Sequence, residues 1–95
     1  MGKNYIFADI HVRDKEGFEK FREMAKPIIE EYGEKVLVRN PNAKAREGKK
    51  PGIVVFFEFE NMDKARKFYE SEGYQAAKAV REKACDTDLF FVEGV

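Results

Sequence analysis

Several short segments of this chain carry apolar side chains on both of the faces that a β-strand presents, and this feature limits the possible folds. In the segment IVVFFEF the two alternating series are Ile53, Val55, Phe57 and Phe59 on one side and Val54, Phe56 and Glu58 on the other. A face as aromatic as the second usually marks an interface or a binding groove. The sheet therefore needs helices on one face and a partner or ligand on the other.

The first half of the chain predicts a strand, a helix and two further strands. NYIFADIHV alternates with the two-residue period of a strand, and Asp14 then provides an N-cap for a helix that begins near Lys15 and stops at Gly33. KVLVR forms the second strand, and the turn-rich segment NPNAKAREGKKPG connects it to the strand IVVFFEF. These elements give the order β-α-β-β.

The second half predicts a helix in two pieces and a closing strand. Asn61 caps a helix that ends near Ser71, a further helix runs from about Glu72 to Ala84, and DLFFVEG is the last strand. The full order β-α-β-β-α-β predicts a ferredoxin-like α+β fold, in which one antiparallel sheet carries the helices on a single face. We expect residues 1–95 to form a single domain.

Alternation along all four strands predicts two different sheet faces. One face is uniformly apolar and belongs under the helices. The other combines apolar side chains with charges, and its predicted members are Tyr5, Phe7, Asp9, His11, Leu37, Arg39, Val54, Phe56, Glu58, Leu89, Phe91 and Glu93. Two such faces packed together would cover the aromatic side chains and enclose the charges in a shared cavity. We therefore predict a homodimer with twofold symmetry, built as a sheet-to-sheet barrel.

The charged residues of this second face form the predicted site. Desolvating an unpaired ion costs several kcal/mol, so Arg39 would pair with Asp9, Glu58 or Glu93. His11 has the only reference pKa near neutrality in the set and is the natural general acid or base. Its position near the end of a strand also allows simple contact with solvent or with a backbone carbonyl group.

Composition excludes several classes of function. The 18 basic and 18 acidic residues cancel, so we expect neither nucleic acid nor an anionic membrane surface as a partner. No apolar run approaches the length of about 20 residues that spans a membrane. The single Cys85 suits a reducing compartment and predicts a cytoplasmic protein. Zinc, Walker and dinucleotide motifs are missing, and one histidine leaves no spare axial ligand for heme, so we expect no metal and no cofactor.

The chain resembles the family catalogued as domain of unknown function 1330 in the segments YIFADIHV, VLVR, REG, VVFFEF, FYESEGYQAAKAVR and FFVEG. The positions that match the family's pattern are Arg39, Glu47, Gly48, Glu58, Tyr69, Ser71, Tyr74, Arg81, Glu93 and Gly94. Phe68 stands where the family usually has Trp. The resemblance implies the dimeric α+β-barrel superfamily, which includes cofactor-free monooxygenases, isomerases, heme-degrading enzymes and ligand sensors, so the fold alone says little about function.

The segment FYESEGYQAAKAVR carries polar residues that helix packing alone does not require. Ser71 stands where a helix N-cap is needed. Tyr74 and Arg81 are seven residues apart and lie along almost the same line of the helix, with Tyr69 arriving from the preceding piece. The helices cover the face opposite to the predicted cavity. We therefore expect these four residues to support the site from the sheet edge or to lie at an interface.

The sequence supports one leading function and two alternatives. The leading hypothesis is a cofactor-independent oxygenase or isomerase of a small acidic or aromatic metabolite. In it Arg39 holds a carboxylate or enolate and His11 or Glu58 moves a proton. The predicted ligand contacts are Tyr5, Phe7, Asp9, Phe56, Phe91 and Glu93. The alternatives are a non-catalytic small-ligand-binding or stress-response module and a purely structural dimer.

Overall fold

Helices cover one face of a four-stranded antiparallel sheet in the part of the chain that the structure describes, residues 2–33 and 35–95. In this computed structural model the elements in chain order are β1 (Asn4–Val12), α1 (Lys15–Tyr32), β2 (Lys35–Asn40), β3 (Ile53–Phe59), α2 (Met62–Glu70), α3 (Glu72–Ala84) and β4 (Cys85–Glu93). The strands lie in the order β2-β3-β1-β4, and each neighbouring pair is antiparallel. The predicted α+β, ferredoxin-like arrangement with a divided second helix is confirmed.

The helix boundaries follow residues that can cap them. Asn61 starts α2 because its side-chain oxygen accepts a hydrogen bond from the backbone N–H of Lys64 at 2.9 Å. α1 ends at Gly33, whose φ of 65° lies in the left-handed region that glycine enters without strain. Asp14 holds the N-cap position of α1 as predicted, but its side chain makes no capping hydrogen bond.

A single residue, Ser71, separates α2 from α3. Its backbone is extended, with φ −61° and ψ 149°. Its hydroxyl oxygen accepts a hydrogen bond from the backbone N–H of Tyr74 at 3.1 Å, and the hydroxyl group donates to the carbonyl oxygen of Phe68 at 2.8 Å. The same side chain therefore starts one helix and satisfies a carbonyl group at the end of the other, which confirms its predicted N-cap role.

Replacing Ser71 by alanine is expected to lower the free energy of unfolding by about 1 kcal/mol, because the first turn of α3 loses its acceptor. For a domain of this size, that loss corresponds to a decrease of roughly 4–8 °C in melting temperature. Thermal unfolding followed by circular dichroism measures the change. Ser71→Thr keeps both hydrogen bonds and is the matched control. An equal loss in the threonine variant would contradict a capping role.

Phe68 lies at the centre of the core between the helices and the sheet and is 1% exposed. The centroid of its ring is 4.7 Å from that of Tyr74 and 5.5 Å from that of Phe59. Ala65 and Ala77 are fully buried beside it. Their small side chains leave the volume that these aromatic rings occupy.

α1 packs mainly against α3 rather than against the sheet. Two glycines permit this close approach: a Cβ atom on Gly17 would lie 2.6 Å from Cβ of Ala84, and one on Gly73 would meet Cδ1 of Ile28. The helix pair is therefore held together at both ends. Space remains between α1 and part of the sheet.

The register of β4 corrects one part of the predicted sheet face. Phe91 pairs with Ile6, which is buried under the helices, whereas Phe90 pairs with Phe7 on the other face. The predicted placement of Phe91 on the face away from the helices was therefore wrong. Leu89 and Glu93 alternate in step with Phe91, so they also lie on the helix side of the sheet. The alternating series of β4 are both apolar, so their pattern does not determine which one faces the helices.

The register of β2 corrects the placement of Arg39. Val36 pairs with Phe57 and Val38 with Phe56, so a β-bulge at Leu37 inserts one extra residue into the strand. Alternation changes phase after a bulge. Arg39 consequently pairs with Val55 and lies on the helix side of the sheet, not on the face with Asp9 and Glu58.

Candidate functional site

We call the sheet face that turns away from the helices the open face. Its members include Tyr5, Phe7, Asp9, His11, Lys35, Val38, Asn40, Val54, Phe56, Glu58, Asp86, Asp88, Phe90 and Val92. The ring of Phe7 lies 4.8 Å from that of Phe56 and stacks at 4.7 Å on that of Phe90, which is 49% exposed. An aromatic row therefore crosses three strands of this face, with Phe90 exposed and Phe7 and Phe56 partly exposed.

The charged groups of the open face interact with residues beside them. Asp9 accepts a hydrogen bond from the backbone N–H of Gly52 at 2.7 Å and lies 3.4 Å from Nε2 of His11. Glu58 pairs with Lys3 at 3.0 Å, and the hydrogen bond and attraction from Glu58 raise the pKa of that lysine. These contacts give Asp9 and Glu58 structural partners.

The three predicted catalytic residues do not come together. Glu58 lies opposite Tyr5 in the sheet, and His11 is six residues further along β1, about 20 Å away at the rise of an antiparallel strand. Arg39 lies on the other side of the sheet. The structure therefore keeps Tyr5, Phe7, Asp9, His11, Phe56 and Glu58 on the predicted face, but it forms no common site from His11, Arg39 and Glu58.

A cavity of about 480 Å³ lies between α1 and the sheet, and we call it the helix–sheet cavity. Its walls are mainly apolar and its lining includes Ile10, Phe21, Ile29, Val55, Phe57 and Phe68. Its charged lining residues are Glu19, Arg22, Glu23, Lys26, Glu30, Arg39 and Arg81. Arg39, predicted for the open face, is thus an exposed residue at the border of this different cavity.

Arg81 is the buried charge of the helix–sheet cavity, only 4% exposed. Its Nη1 donates a hydrogen bond to the hydroxyl oxygen of Tyr74 at 2.5 Å. Its Cζ lies 5.3 Å from the ring centroid of Phe21 and 5.8 Å from that of Tyr74. Its Nε is buried without an acceptor, and no described residue forms an ion pair with it.

The surroundings of Arg81 compensate its charge only in part. Cation–π contacts contribute about 0.5–2 kcal/mol, whereas burying an ion without a counter-ion costs several kcal/mol. Among the described residues, a buried guanidinium without an acidic partner therefore lies beside a cavity large enough for a small molecule.

Sequence reasoning expected Tyr74 and Arg81 to act behind a site on the other face of the sheet. Instead both line the helix–sheet cavity, and their seven-residue spacing produces the hydrogen bond between them. The sequence contains an indication that Arg81 is a buried cation without a partner on its own helix face. The residues three and four positions from Arg81 are Ala77, Lys78, Ala84 and Cys85, so no helical neighbour can neutralise a cation that lies on an apolar stripe.

Tyr69 and Cys85 complete the surroundings. The ring of Tyr69 lies 5.3 Å from that of Tyr74 and 5.6 Å from that of Phe91, so Tyr69 packs between α3 and β4. Burial raises the pKa of the Cys85 thiol, although the positive charges of Arg81 and Arg13 act in the opposite direction. The raised pKa keeps this thiol protonated at neutral pH.

A second pocket, of about 360 Å³, lies beyond Arg81 at the corner between α3 and β4. It is polar and is lined by His11, Arg81, Glu82, Cys85, Asp86, Thr87 and Asp88. Nε of Arg13 forms an ion pair with the carboxylate of Asp86 at 3.2 Å. Within residues 2–33 and 35–95, no group of three His, Cys, Asp or Glu side chains could hold a metal ion.

These features define a small ferredoxin-like α+β protein with a cavity between its helices and its sheet and an exposed aromatic sheet face. The profile of the family described as Domain of unknown function (DUF1330) matches residues 3–95, and the chain belongs to this family. A comparison with curated proteins gives no match. None of the helices described here has the length and apolar character needed to cross a membrane.

Solved structures share the fold at low sequence identity. RPA0582 of Rhodopseudomonas palustris, a protein of unknown function, is 16% identical with a TM-score of 0.83, covering 99% of this chain and 83% of its own. A dimeric ferredoxin-like protein of unknown function from Bacteroides fragilis NCTC 9343 is 14% identical with a TM-score of 0.65. The alignment covers 99% of this chain and 98% of the Bacteroides protein. SnoaB of Streptomyces nogalater, a cofactor-independent oxygenase, is 10% identical with a TM-score of 0.67. The alignment covers 100% of this chain and 95% of SnoaB. At these identities the likeness establishes the fold alone.

Proposed function

We propose that this protein binds a small, largely apolar anion in the helix–sheet cavity and acts on it as a cofactor-independent oxygenase or isomerase. The observation that carries the proposal is Arg81, a buried guanidinium with an unpaired Nε–H beside an apolar cavity of about 480 Å³. A bound anion would supply the missing counter-charge. The likeness of fold to SnoaB is consistent with this class of reaction.

The same arrangement suits chemistry in which negative charge develops on the ligand. A guanidinium held in position by Phe21 and Tyr74 can stabilise an enolate or carboxylate, and its effect is strong where water is excluded. Arg81 and Tyr74 therefore replace His11, Arg39 and Glu58 as the favoured polar groups. His11 and Glu58 keep their predicted roles only if a ligand also binds on the open face.

Thermal shift assays across a library of small acids and neutral analogues test the binding step, because a ligand that binds the native state raises the melting temperature. We expect a subset of apolar acids to stabilise the protein. Arg81→Met should abolish that shift, whereas Arg66→Met, on the exposed surface of α2, should preserve it. A library without any stabilising acid would contradict the proposal.

Turnover distinguishes an enzyme from a binding module that uses the same cavity. Oxygen uptake and absorbance changes are followed with each stabilising acid. Oxygenation consumes O₂ and isomerisation changes the spectrum without consuming it. A ligand that stabilises the protein but remains unchanged would favour the non-catalytic alternative.

We further propose that the open face is buried between two copies of the chain. In its aromatic row, Phe90 is exposed and Phe7 and Phe56 are partly exposed in the single chain, and exposed apolar patches usually mark interfaces. The fold relative from Bacteroides fragilis is dimeric. A cytoplasmic location, predicted from the single cysteine, belongs to the same proposal.

A further inference from the structure

We infer that the ligand is an aromatic carboxylate whose two oxygens accept hydrogen bonds from the Nε and Nη2 edge of Arg81. The inference rests on the proposed function and names the substrate class of the same cavity. It follows from which guanidinium donors are occupied, from the charges on either side of Arg81 and from the rings in the cavity wall.

The hydrogen-bond donors of the Arg81 guanidinium are not equally occupied. Nη1 of Arg81 is engaged by Tyr74, while Nε has no acceptor. In a planar guanidinium, the N–H bonds of Nε and Nη2 point in parallel from one edge, and this edge matches the two oxygens of a carboxylate. A phenolate or an enolate presents one oxygen and cannot pair with both donors of this edge, of which Nε is the buried one. The free edge therefore favours a carboxylate.

The charges on the two sides of Arg81 indicate the direction from which the anion approaches. On the side of the second pocket, three carboxylates line the wall, and although Glu82 pairs with Lys78 and Asp86 with Arg13, the charge of Asp88 would repel an anion. On the side of the helix–sheet cavity, the remaining charges balance, with Glu19, Glu23 and Glu30 against Arg22, Lys26 and Arg39. The carboxylate accordingly enters through the helix–sheet cavity, whose described lining carries one net positive charge and has Arg81 as its buried cation.

The body of the ligand lies among aromatic rings. Phe21 is within 5.3 Å of the guanidinium carbon, and Phe57 and Phe68 form other parts of the same wall, with their centroids 6.2 Å apart. Aromatic pairs gain from edge and offset contacts that an aliphatic chain does not make. A flat ring system attached to the carboxylate would therefore use this wall best.

Three probes of almost equal shape test the inference: 2-naphthoate, 2-naphthamide and 2-naphthol. Their dissociation constants are measured by isothermal titration calorimetry on the unmodified protein. We expect 2-naphthoate to bind about 100-fold more tightly than the amide, since only the carboxylate both neutralises Arg81 and pairs with its free edge. Equal affinity for the three probes would overturn the inference while leaving a small-molecule cavity in place.

Arg81→Lys supplies a second test, because lysine keeps the charge and removes the parallel donors. We expect its affinity for 2-naphthoate to fall by about tenfold or more, with little change for 2-naphthol. Arg66→Met is the matched control and should bind like the unmodified protein. An unchanged affinity of Arg81→Lys for 2-naphthoate would exclude the bidentate contact. If no probe binds, the substrate class is wrong, and the proposed function then fails only if the wider acid library also gives no stabilisation.

Discussion

Replacing Arg81 by methionine is expected to raise the melting temperature of the ligand-free protein. Methionine fills a similar volume and carries no charge, so the cost of burying an unpaired cation is removed. The change also loses the hydrogen bond to Tyr74 and the contact with Phe21. We expect a net gain of about 1–2 kcal/mol in the free energy of unfolding, measured by calorimetry or by circular dichroism during heating.

Arg13→Met provides the contrast, because Arg13 has partners in the folded chain. Its guanidinium donates to the carbonyl oxygens of Glu82, Lys83 and Cys85 at the end of α3. We expect this variant to lower the melting temperature. If Arg81→Met lowers it equally, Arg81 is a structural residue and the counter-ion argument fails. Stabilisation together with loss of anion binding would show that Arg81 is kept for function at a cost in stability.

Phe7→Glu is expected to convert a homodimer into monomers. The ring of Phe7 lies between those of Phe56 and Phe90 at the middle of the open face. A twofold interface would bury the new carboxylate twice without a partner, and each burial costs several kcal/mol. The dissociation constant should therefore rise by about 1000-fold or more. Sedimentation or light scattering at micromolar concentration measures the mass.

Met62→Glu is the control for this change. Met62 is an exposed apolar residue of α2, on the helix layer rather than on the open face, so its substitution should leave the mass unchanged. A monomeric mass for the unmodified protein would reject the proposed dimer directly. A Phe7→Glu variant that remains dimeric would place the interface elsewhere.

The order and type of the elements were predictable because each one carries a local signal. Helix α2 starts at Asn61 and α3 at Ser71, residues whose side chains accept hydrogen bonds from the first turn. β1 and β3 alternate with one clearly apolar series, and the buried Ile6 and Val55 confirm the predicted parity. Local periodicity therefore determined the fold class.

The placement of individual side chains was less predictable, because it depends on pairing between distant strands. In β4, Leu89 and Phe91 form one apolar series and Phe90 and Val92 form the other, so only the pairing with β1 decides which series faces the helices. In β2 the bulge at Leu37 reverses the side on which the following residues lie. No feature of KVLVR indicates this bulge.

The helix–sheet cavity could not be predicted from periodicity. A periodic pattern indicates which residues are apolar, but not whether the side chains of facing elements are in contact. Phe21 and Phe57 both belong to apolar stripes that the sequence places between the helices and the sheet. The unsatisfied Nε of Arg81 is likewise a relation among several elements. The sequence could show that Arg81 has no acidic residue three or four positions away on its own helix, but not that no other described residue forms an ion pair with it.

The attachment of α1 to α3, through the close contacts at Gly17 and Gly73, has a consequence for how this family can diversify. Substitutions on the inner side of α1 would reshape the cavity without altering the sheet strands that form the open face. Changes on the open face would likewise leave the helix side of the cavity intact. The four strands thus separate the two surfaces, so that the proposed recognition of small molecules and the proposed association of subunits could evolve as separate properties of one short chain.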